Sequence, residues 1–106
     1  MKKKIKVFVK NPGQAPHMEI VNNTLEAFQT LVGGYIETVS PFQDAALVVN
    51  EEGIILNLPL NCEYLGTRFF GPMVWVGVDG DQFTDIPCSL KEFKEANKEL
   101  WKEEAR

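Results

Sequence analysis

Alternating apolar and polar residues mark the first element of the chain. Ile5, Val7 and Val9 alternate with residues that are mostly lysines. This period of two predicts a strand over residues 4–10 with one buried face and one solvated, basic face. The turn-forming residues 11–13 are expected to end it.

A helix is predicted after a polar connection. Four apolar residues between positions 25 and 32 recur at the spacing of one helical face. Asn23 is the expected N-cap, with Glu26 three residues later completing a capping box. Gly33 is the expected left-handed residue at the other end, so the helix is about two and a half turns long.

The centre of the chain is rich in β-branched and apolar residues. Five further strands are predicted there, over residues 35–39, 45–49, 54–58, 73–78 and 81–86. Residues 50–53 are expected to join the second and third of these as a hairpin. The turn at residues 79–80 is expected to join the last two in a register that places Val76 opposite Phe83. Residues 60–68 show no clear period and are predicted to be a loop.

The last element is a helix with a strong start signal. Ser89 and Glu92 have the spacing of a capping box, and Cys88 lies where a hydrophobic staple would contact Phe93. The helix is expected to run to about residue 104. The element order therefore predicts one α+β domain over residues 1–106, a mainly antiparallel sheet of about five to six strands with two helices packed on one side.

Charge is segregated along the chain. Residues 1–10 hold five lysines and no carboxylate, whereas residues 11–90 hold ten carboxylates against one cation, Arg68, a net charge of −9. Such a field repels nucleic-acid phosphates and attracts basic partners. The sequence lacks an apolar run of the roughly 18 residues that cross a bilayer. With only two cysteines, Cys62 and Cys88, we expect reduced thiols, a cytoplasmic location and no membrane partner.

Catalytic, metal and cofactor motifs are missing from the sequence. His17 is the single histidine and has no nucleophile motif around it. Asp79, Asp81 and Asp85 lack the spacing of a calcium loop, and turn formation explains them. No phosphate-binding glycine motif occurs. We therefore expect no enzymatic activity, no metal and no cofactor.

Two binding alternatives remain open. Five side chains could surround a nucleotide or an acidic metabolite near the second predicted hairpin: Asn50, Glu52, Asn57, Asn61 and Arg68. In that case Arg68 would clamp an anionic group, although an internal ion pair is the simpler role for it. The N-terminal lysines could instead follow the phosphates of single-stranded nucleic acid, with Phe8 stacked on a base. The simpler interpretation of that segment is a solvated edge strand whose lysines prevent aggregation.

Several phrases of the sequence resemble a known family. They are N-T-L-E at 23–26, L-V-G-G-Y-I-E at 31–37, D-A-A-L-V-V-N-E-E-G at 44–53, L-P-L-N at 58–61 and G-P-M-V-W-V-G at 71–77. Together they are similar to a small domain-of-unknown-function family of bacteria, phages and conjugative or plasmid elements. The chain departs from that pattern after Asn61, where a basic residue is expected and Cys62 and Glu63 stand instead.

The resemblance implies a setting rather than a mechanism. Small proteins of mobile elements often bind host or defence components, and an acidic surface suits a basic protein. The leading hypothesis is a non-enzymatic interaction module for a basic host or defence protein. Small-ligand binding and weak single-stranded nucleic-acid binding are the alternatives, and a homodimer could form through a free strand edge.

Overall fold

The structure is a computed structural model that describes residues 3–40 and 42–102. Within these residues, the elements in chain order are β1 (Lys4–Lys10), β2 (His17–Asn22), α1 (Leu25–Val32), β3 (Ile36–Val39), β4 (Ala45–Asn50), β5 (Leu60–Tyr64), β6 (Thr67–Phe70), β7 (Met73–Asp79), β8 (Gln82–Thr84), α2 (Leu90–Ala96) and a 3-10 helix (Lys98–Trp101). No helix in these ranges is long and apolar enough to cross a membrane.

The strands form one large and one small antiparallel sheet. The large sheet has the order β2-β1-β7-β4-β3, and β8 pairs with the C-terminal end of β7. The small sheet is the β5–β6 hairpin. The predicted α+β class with a mainly antiparallel sheet is therefore confirmed.

Both faces of the large sheet are covered. Strands β1, β4 and β7 send alternate side chains to opposite sides, as the pleat requires. One cluster, on the side of α1, contains Ile5, Val7, Val9, Phe28, Val32, Ala46, Val48, Val74 and Val76. The other, on the side of α2 and the β5–β6 hairpin, contains Phe8, Leu47, Val49, Cys62, Tyr64, Met73, Trp75, Ile86, Phe93 and Leu100.

The helices consequently lie on opposite faces, and their predicted placement on one side is wrong. Phe28 and Val32 of α1 belong to one cluster, whereas Phe93 of α2 belongs to the other. The central strands explain this arrangement, because β4 and β7 are apolar at consecutive positions and must be shielded on both faces.

Strand β1 is an interior strand, so its predicted wet, basic face is also wrong. It lies between β2 and β7. Phe8 is fully buried, with its ring centroid 4.9 Å from that of Phe93. Lys10 is only 3% exposed, and its Nζ donates to Asn61 Oδ1 at 2.7 Å. A base cannot stack on Phe8, and the edge-strand interpretation of this segment fails as well.

The predicted hairpin over residues 45–58 is wrong in its second half. Residues 51–57 form consecutive turns rather than a strand. The hairpin in this region is β5–β6, over residues predicted to be a loop. Leu65 and Gly66 connect it with φ angles of 53° and 79°, the two positive values that a tight hairpin turn needs.

The turn of the last hairpin lies one residue later than predicted. Val78 rather than Val76 faces Phe83, because Asp79 pairs with Gln82. The two loop residues are therefore 80 and 81, with Gly80 at a φ of 66°. Val76 and Val78 lie on the same face of β7, so Phe83 remains on the α1 side as the predicted register implied, and its ring meets Phe28 there.

For α1, the predicted residue at the C-terminal end is confirmed and the predicted N-cap is wrong. Thr24, not Asn23, is the N-cap, and its Oγ1 accepts from the Ala27 N–H at 3.1 Å. Asn23 instead donates from Nδ2 to the Phe83 carbonyl oxygen at 3.0 Å. Gly33 ends the helix with a φ of 81°, as predicted.

The capping box of α2 is confirmed, but the helix is shorter than expected. Ser89 and Glu92 exchange both hydrogen bonds of the box, and Cys88 packs against the cluster that contains Phe93. The helix ends at Ala96, where Asn97 Nδ2 donates back to the Phe93 carbonyl oxygen at 2.9 Å. The predicted end near residue 104 lies outside the described residues.

Candidate functional site

Three of the five predicted ligand residues line one groove. Asn50, Glu52 and Arg68 border an open depression of about 520 Å³ on the α2 side of the sheet, whereas Asn57 and Asn61 do not line it. We call this depression the acidic groove. The predicted gathering of all five side chains is therefore only partly realised.

The Asn50 side chain supports the groove without offering free polar atoms to it. Asn50 is buried, and its Nδ2 donates to the Val32 carbonyl oxygen at 3.1 Å. Its Oδ1 accepts from the Glu52 N–H at 2.7 Å. The amide thus joins the end of α1 to the loop after β4 and holds Glu52 in place.

Asn61 and Asn57 have structural roles elsewhere. Asn61 is buried and links β5 to β1 and to the connection before β7, since its Nδ2 donates to the carbonyl oxygens of Lys10 and Gly71 at 2.7 and 2.8 Å and its Oδ1 accepts from Lys10. Asn57 is exposed at a φ of 60°, a left-handed conformation that asparagine tolerates better than most residues. Neither amide serves the groove.

Two strands and a hairpin build the walls of the groove. Val39 of β3 and Val49 of β4 are apolar lining residues, and Phe69 and Phe70 of β6 line it from the small sheet. The loop at residues 51–55 closes one end. Gly53 makes this closure possible, because a Cβ there would lie 2.6 Å from the Phe70 carbonyl oxygen.

The charge of the groove is predominantly negative. Of the residues that the structure describes, Glu37, Glu51 and Glu52 line it together with one cation, Arg68. Within the described part of the chain, no carboxylate forms an ion pair with the Arg68 guanidinium, so the expected internal pair is absent there. Carboxylates with apolar walls can attract and orient a cationic group.

An exposed apolar loop lies at the rim of the groove. Ile54 and Ile55 are 72% and 80% exposed, and Leu56 is also exposed. Backbone bonds hold the turn, including Leu56 N–H to the Glu52 oxygen at 2.8 Å and Leu58 N–H to the Gly53 oxygen at 2.9 Å. We call residues 54–56 the apolar loop. The turn conformation of this segment was not predicted, because residues 54–58 have the composition of a strand. The charges before it and Asn57 after it were the available turn signals.

His17 and Cys88 do not line the acidic groove. His17 Nε2 lies 2.6 Å from Glu19 Oε2 on β2. Burial raises the pKa of the Cys88 thiol, which opposes its use as a nucleophile. The Asp85 carboxylate accepts from the Lys6 N–H at 2.8 Å. Across residues 3–40 and 42–102, no three histidine, cysteine or acidic side chains converge as a metal ion would require.

Comparison with known proteins gives a family and no activity. A family model described as a domain of unknown function (DUF3846) matches residues 5–98. No curated protein and no solved structure matches the chain.

Proposed function

This chain belongs to the DUF3846 family of domains of unknown function, and from that premise we propose that it is a non-enzymatic interaction module for a basic protein. The observation that carries the proposal is the apolar loop beside the acidic groove. A single contiguous surface thus offers apolar side chains for burial and carboxylates for charge pairing. Such a combination is typical of an interface with an apolar centre and a polar rim.

The apolar loop supplies the driving force for binding. Covering an exposed isoleucine or leucine removes apolar area from water, at roughly 25 cal/mol per Å². The backbone hydrogen bonds of Leu56 and Leu58 fix the turn in the free protein. Since the loop is already ordered, little conformational entropy is lost when a partner covers it.

The carboxylates supply the choice of partner. Glu37, Glu51 and Glu52 favour a cationic surface, which they would attract from a distance and orient on arrival. The sequence resembles proteins of bacteria, phages and plasmids, and on that analogy we propose a host or defence protein as the partner. We extend that setting to this chain as part of the proposal.

A comparison of two double variants tests the proposal. Ile54→Ser/Ile55→Ser removes the apolar loop, while Met18→Ser/Ile20→Ser removes two exposed apolar side chains of β2 on a different part of the sheet. Quantitative mass spectrometry of bacterial proteins retained at moderate salt should show a partner that binds the wild type and the β2 variant but not the loop variant. Equal retention by all three chains would contradict the proposal.

Small-ligand binding is the second candidate, and the Arg68 guanidinium in the groove favours it, since no described carboxylate forms an ion pair with it. The groove volume of about 520 Å³ suits a small molecule. A thermal-shift screen of nucleotides and acidic metabolites should then raise the melting temperature of the wild type and not of Arg68→Gln. A flat screen would exclude this candidate for the compounds tested.

A further inference from the structure

Strand β3 forms a free edge of the large sheet beside the acidic groove. It is the terminal strand in the order β2-β1-β7-β4-β3, and within the described residues β4 is its only strand partner. Glu37 and Thr38, at its centre, are both exposed. A free edge offers unpaired backbone groups to an added strand.

The ladder shows which backbone groups of β3 point outward. Val78 donates to the Asp44 oxygen at 2.9 Å, so the even-numbered positions of β4 bond to β7 and the odd-numbered ones to β3. The bond from Glu51 N–H to the Tyr35 oxygen at 2.8 Å agrees with this alternation. In the register of β3 with β4, Ile36 and Thr38 therefore direct their N–H and C=O groups away from β4.

The side chains of β3 point to the groove at the alternate positions. Glu37 pairs with Val49 and Val39 pairs with Leu47, which places both on the α2 side of the sheet. Both side chains line the acidic groove. A strand added at this edge would place one side chain next to Glu37, at a Cβ separation of about 4.5–5.5 Å, and another two residues away next to Val39.

We propose that β3 is the docking edge for an extended, basic segment of the partner protein, which joins the sheet as an additional strand. The backbone of Ile36 and Thr38 provides the hydrogen bonds. A lysine or arginine of the segment lies against Glu37, and an apolar residue two positions away covers Val39. This inference rests on the proposed interaction function and adds the conformation and pattern of the bound segment.

Peptide selection on the wild-type chain tests this docking mode. A display library of linear peptides of about twelve residues, long enough to cross the edge as a strand, is selected on the protein, and the enriched peptides are synthesised. We expect them to carry a basic and an apolar residue two positions apart. Their affinity should fall as salt is raised.

Variants of β3 show where the peptides bind. Thr38→Pro removes an outward N–H without removing a bond to β4, and proline is tolerated on edge strands, while Thr38→Ala keeps that N–H. Glu37→Lys reverses the charge at this one position of the groove, and Glu26→Lys makes the same change at an exposed position of α1, on the opposite face of the sheet. Thr38→Pro and Glu37→Lys should each weaken binding by about tenfold or more, while both controls bind like the wild type.

The remaining outcomes separate the docking mode from the function on which it rests. Peptides that lose affinity for Ile54→Ser/Ile55→Ser but bind Thr38→Pro normally would overturn docking on β3 and leave the interaction function standing. Equal affinity for all variants would overturn both. A selection that enriches no peptide, or only peptides without the basic and apolar pattern, also overturns the β3 proposal. Thermal denaturation of each variant shows whether it is folded. If Thr38→Pro does not fold, the affinity of the peptides for Glu37→Lys tests docking on β3.

Discussion

Replacement of Asn61 by alanine tests whether one buried amide fixes the β5–β6 hairpin to the large sheet. Asn61 is 1% exposed. Its side chain bonds the backbone of Lys10 on β1, the backbone of Gly71 before β7, and the Lys10 ammonium, at 2.7, 2.8 and 2.7 Å. Alanine removes all three bonds at once and adds none.

The magnitude follows from the groups that lose a partner. A buried polar group that is left unsatisfied costs about 1–3 kcal/mol, and more if it is charged. Two carbonyl oxygens and the Lys10 ammonium lose a partner here, and the structure will relax around part of that loss. We expect Asn61→Ala to lower the free energy of unfolding by about 3–5 kcal/mol, a large share of the roughly 5–15 kcal/mol typical of a folded chain.

Urea denaturation followed by tryptophan fluorescence measures this change, because the midpoint and slope together give the free energy of unfolding. Asn22→Ala is the matched control at an exposed position of β2, and it should change stability by no more than about 0.5 kcal/mol. A loss below about 1 kcal/mol for Asn61→Ala would refute the reasoning, since a single unsatisfied group already costs that much.

The double variant Lys10→Met/Asn61→Leu refines the test. It replaces the buried ammonium together with the amide that accepts its hydrogen bond at 2.7 Å. Its loss of stability should be smaller than that of Asn61→Ala, because removal of both partners is milder than removal of one. A larger loss would mean that shape, rather than polar pairing, dominates at this position.

Three further predictions follow from local contacts. Gly77→Ala should lower the melting temperature sharply or prevent folding, because the added Cβ would clash with the Asp85 carbonyl oxygen. The expected loss of stability is about 4 kcal/mol or more, and a melting curve like that of the wild type would contradict this. Burial raises the pKa of Tyr64, so absorbance titration of a variant whose other tyrosine is phenylalanine should give a midpoint above the ordinary 10.0, with stability falling as the pH rises through it; a midpoint at or below 10.0 would argue against burial. Hydrogen bonds from Ser89 lower the pKa of Glu92 below its ordinary 4.5, so the stability due to the carboxylate is present above pH 4.5 and is lost as the pH falls through the lowered value. The stability of Glu92→Gln, measured by denaturation at several pH values, should lack this decrease at acid pH. A pH dependence identical to that of the wild type would contradict the prediction.

Some elements could be predicted from the sequence alone, because neighbouring residues determine where they start, which face is buried and where they end. Strands β4 and β7 are short apolar runs bounded by turn residues, and both lie within one residue of their predicted limits. The capping box of α2 and the left-handed Gly33 after α1 are local devices. Since their contacts lie within one helical turn, the sequence contains all the information that they need.

Features that depend on distant partners could not be predicted in this way. Lys10 looks like a solvated residue in its alternating strand, yet its ammonium is buried because Asn61, 51 positions away, accepts its hydrogen bond. Residues 54–58 have strong strand propensity, but β3 and β7 already occupy both sides of β4, so the predicted pairing with β4 cannot form. The apolar loop is the result.

The candidate site shows the same limit for side chains. Asparagine beside charged residues suggests a ligand site, but the amides of Asn50 and Asn61 are used to join segments of the fold. Of the five predicted ligand residues, Glu52 and Arg68 line the groove with charged side chains. Among the described residues, these two side chains form no such structural bonds. Residue type identified polar positions, whereas only the tertiary structure shows which polar atoms are already occupied.

The segregation of charge along the chain gains a different meaning in three dimensions. The basic N-terminal segment contains an interior strand, β1, in which Lys10 is buried and Lys6 is half-buried, whereas Lys3 and Lys4 are exposed. The carboxylates of β3 and of the loop after β4 remain at the surface around one groove. Since apolar contact mainly slows dissociation while charge mainly speeds and orients association, the apolar loop and the groove have separable effects on a partner. For the proposed basic partner, the acidic middle of the sequence accounts for the sign of its charge, and the fold supplies the surface on which it would bind.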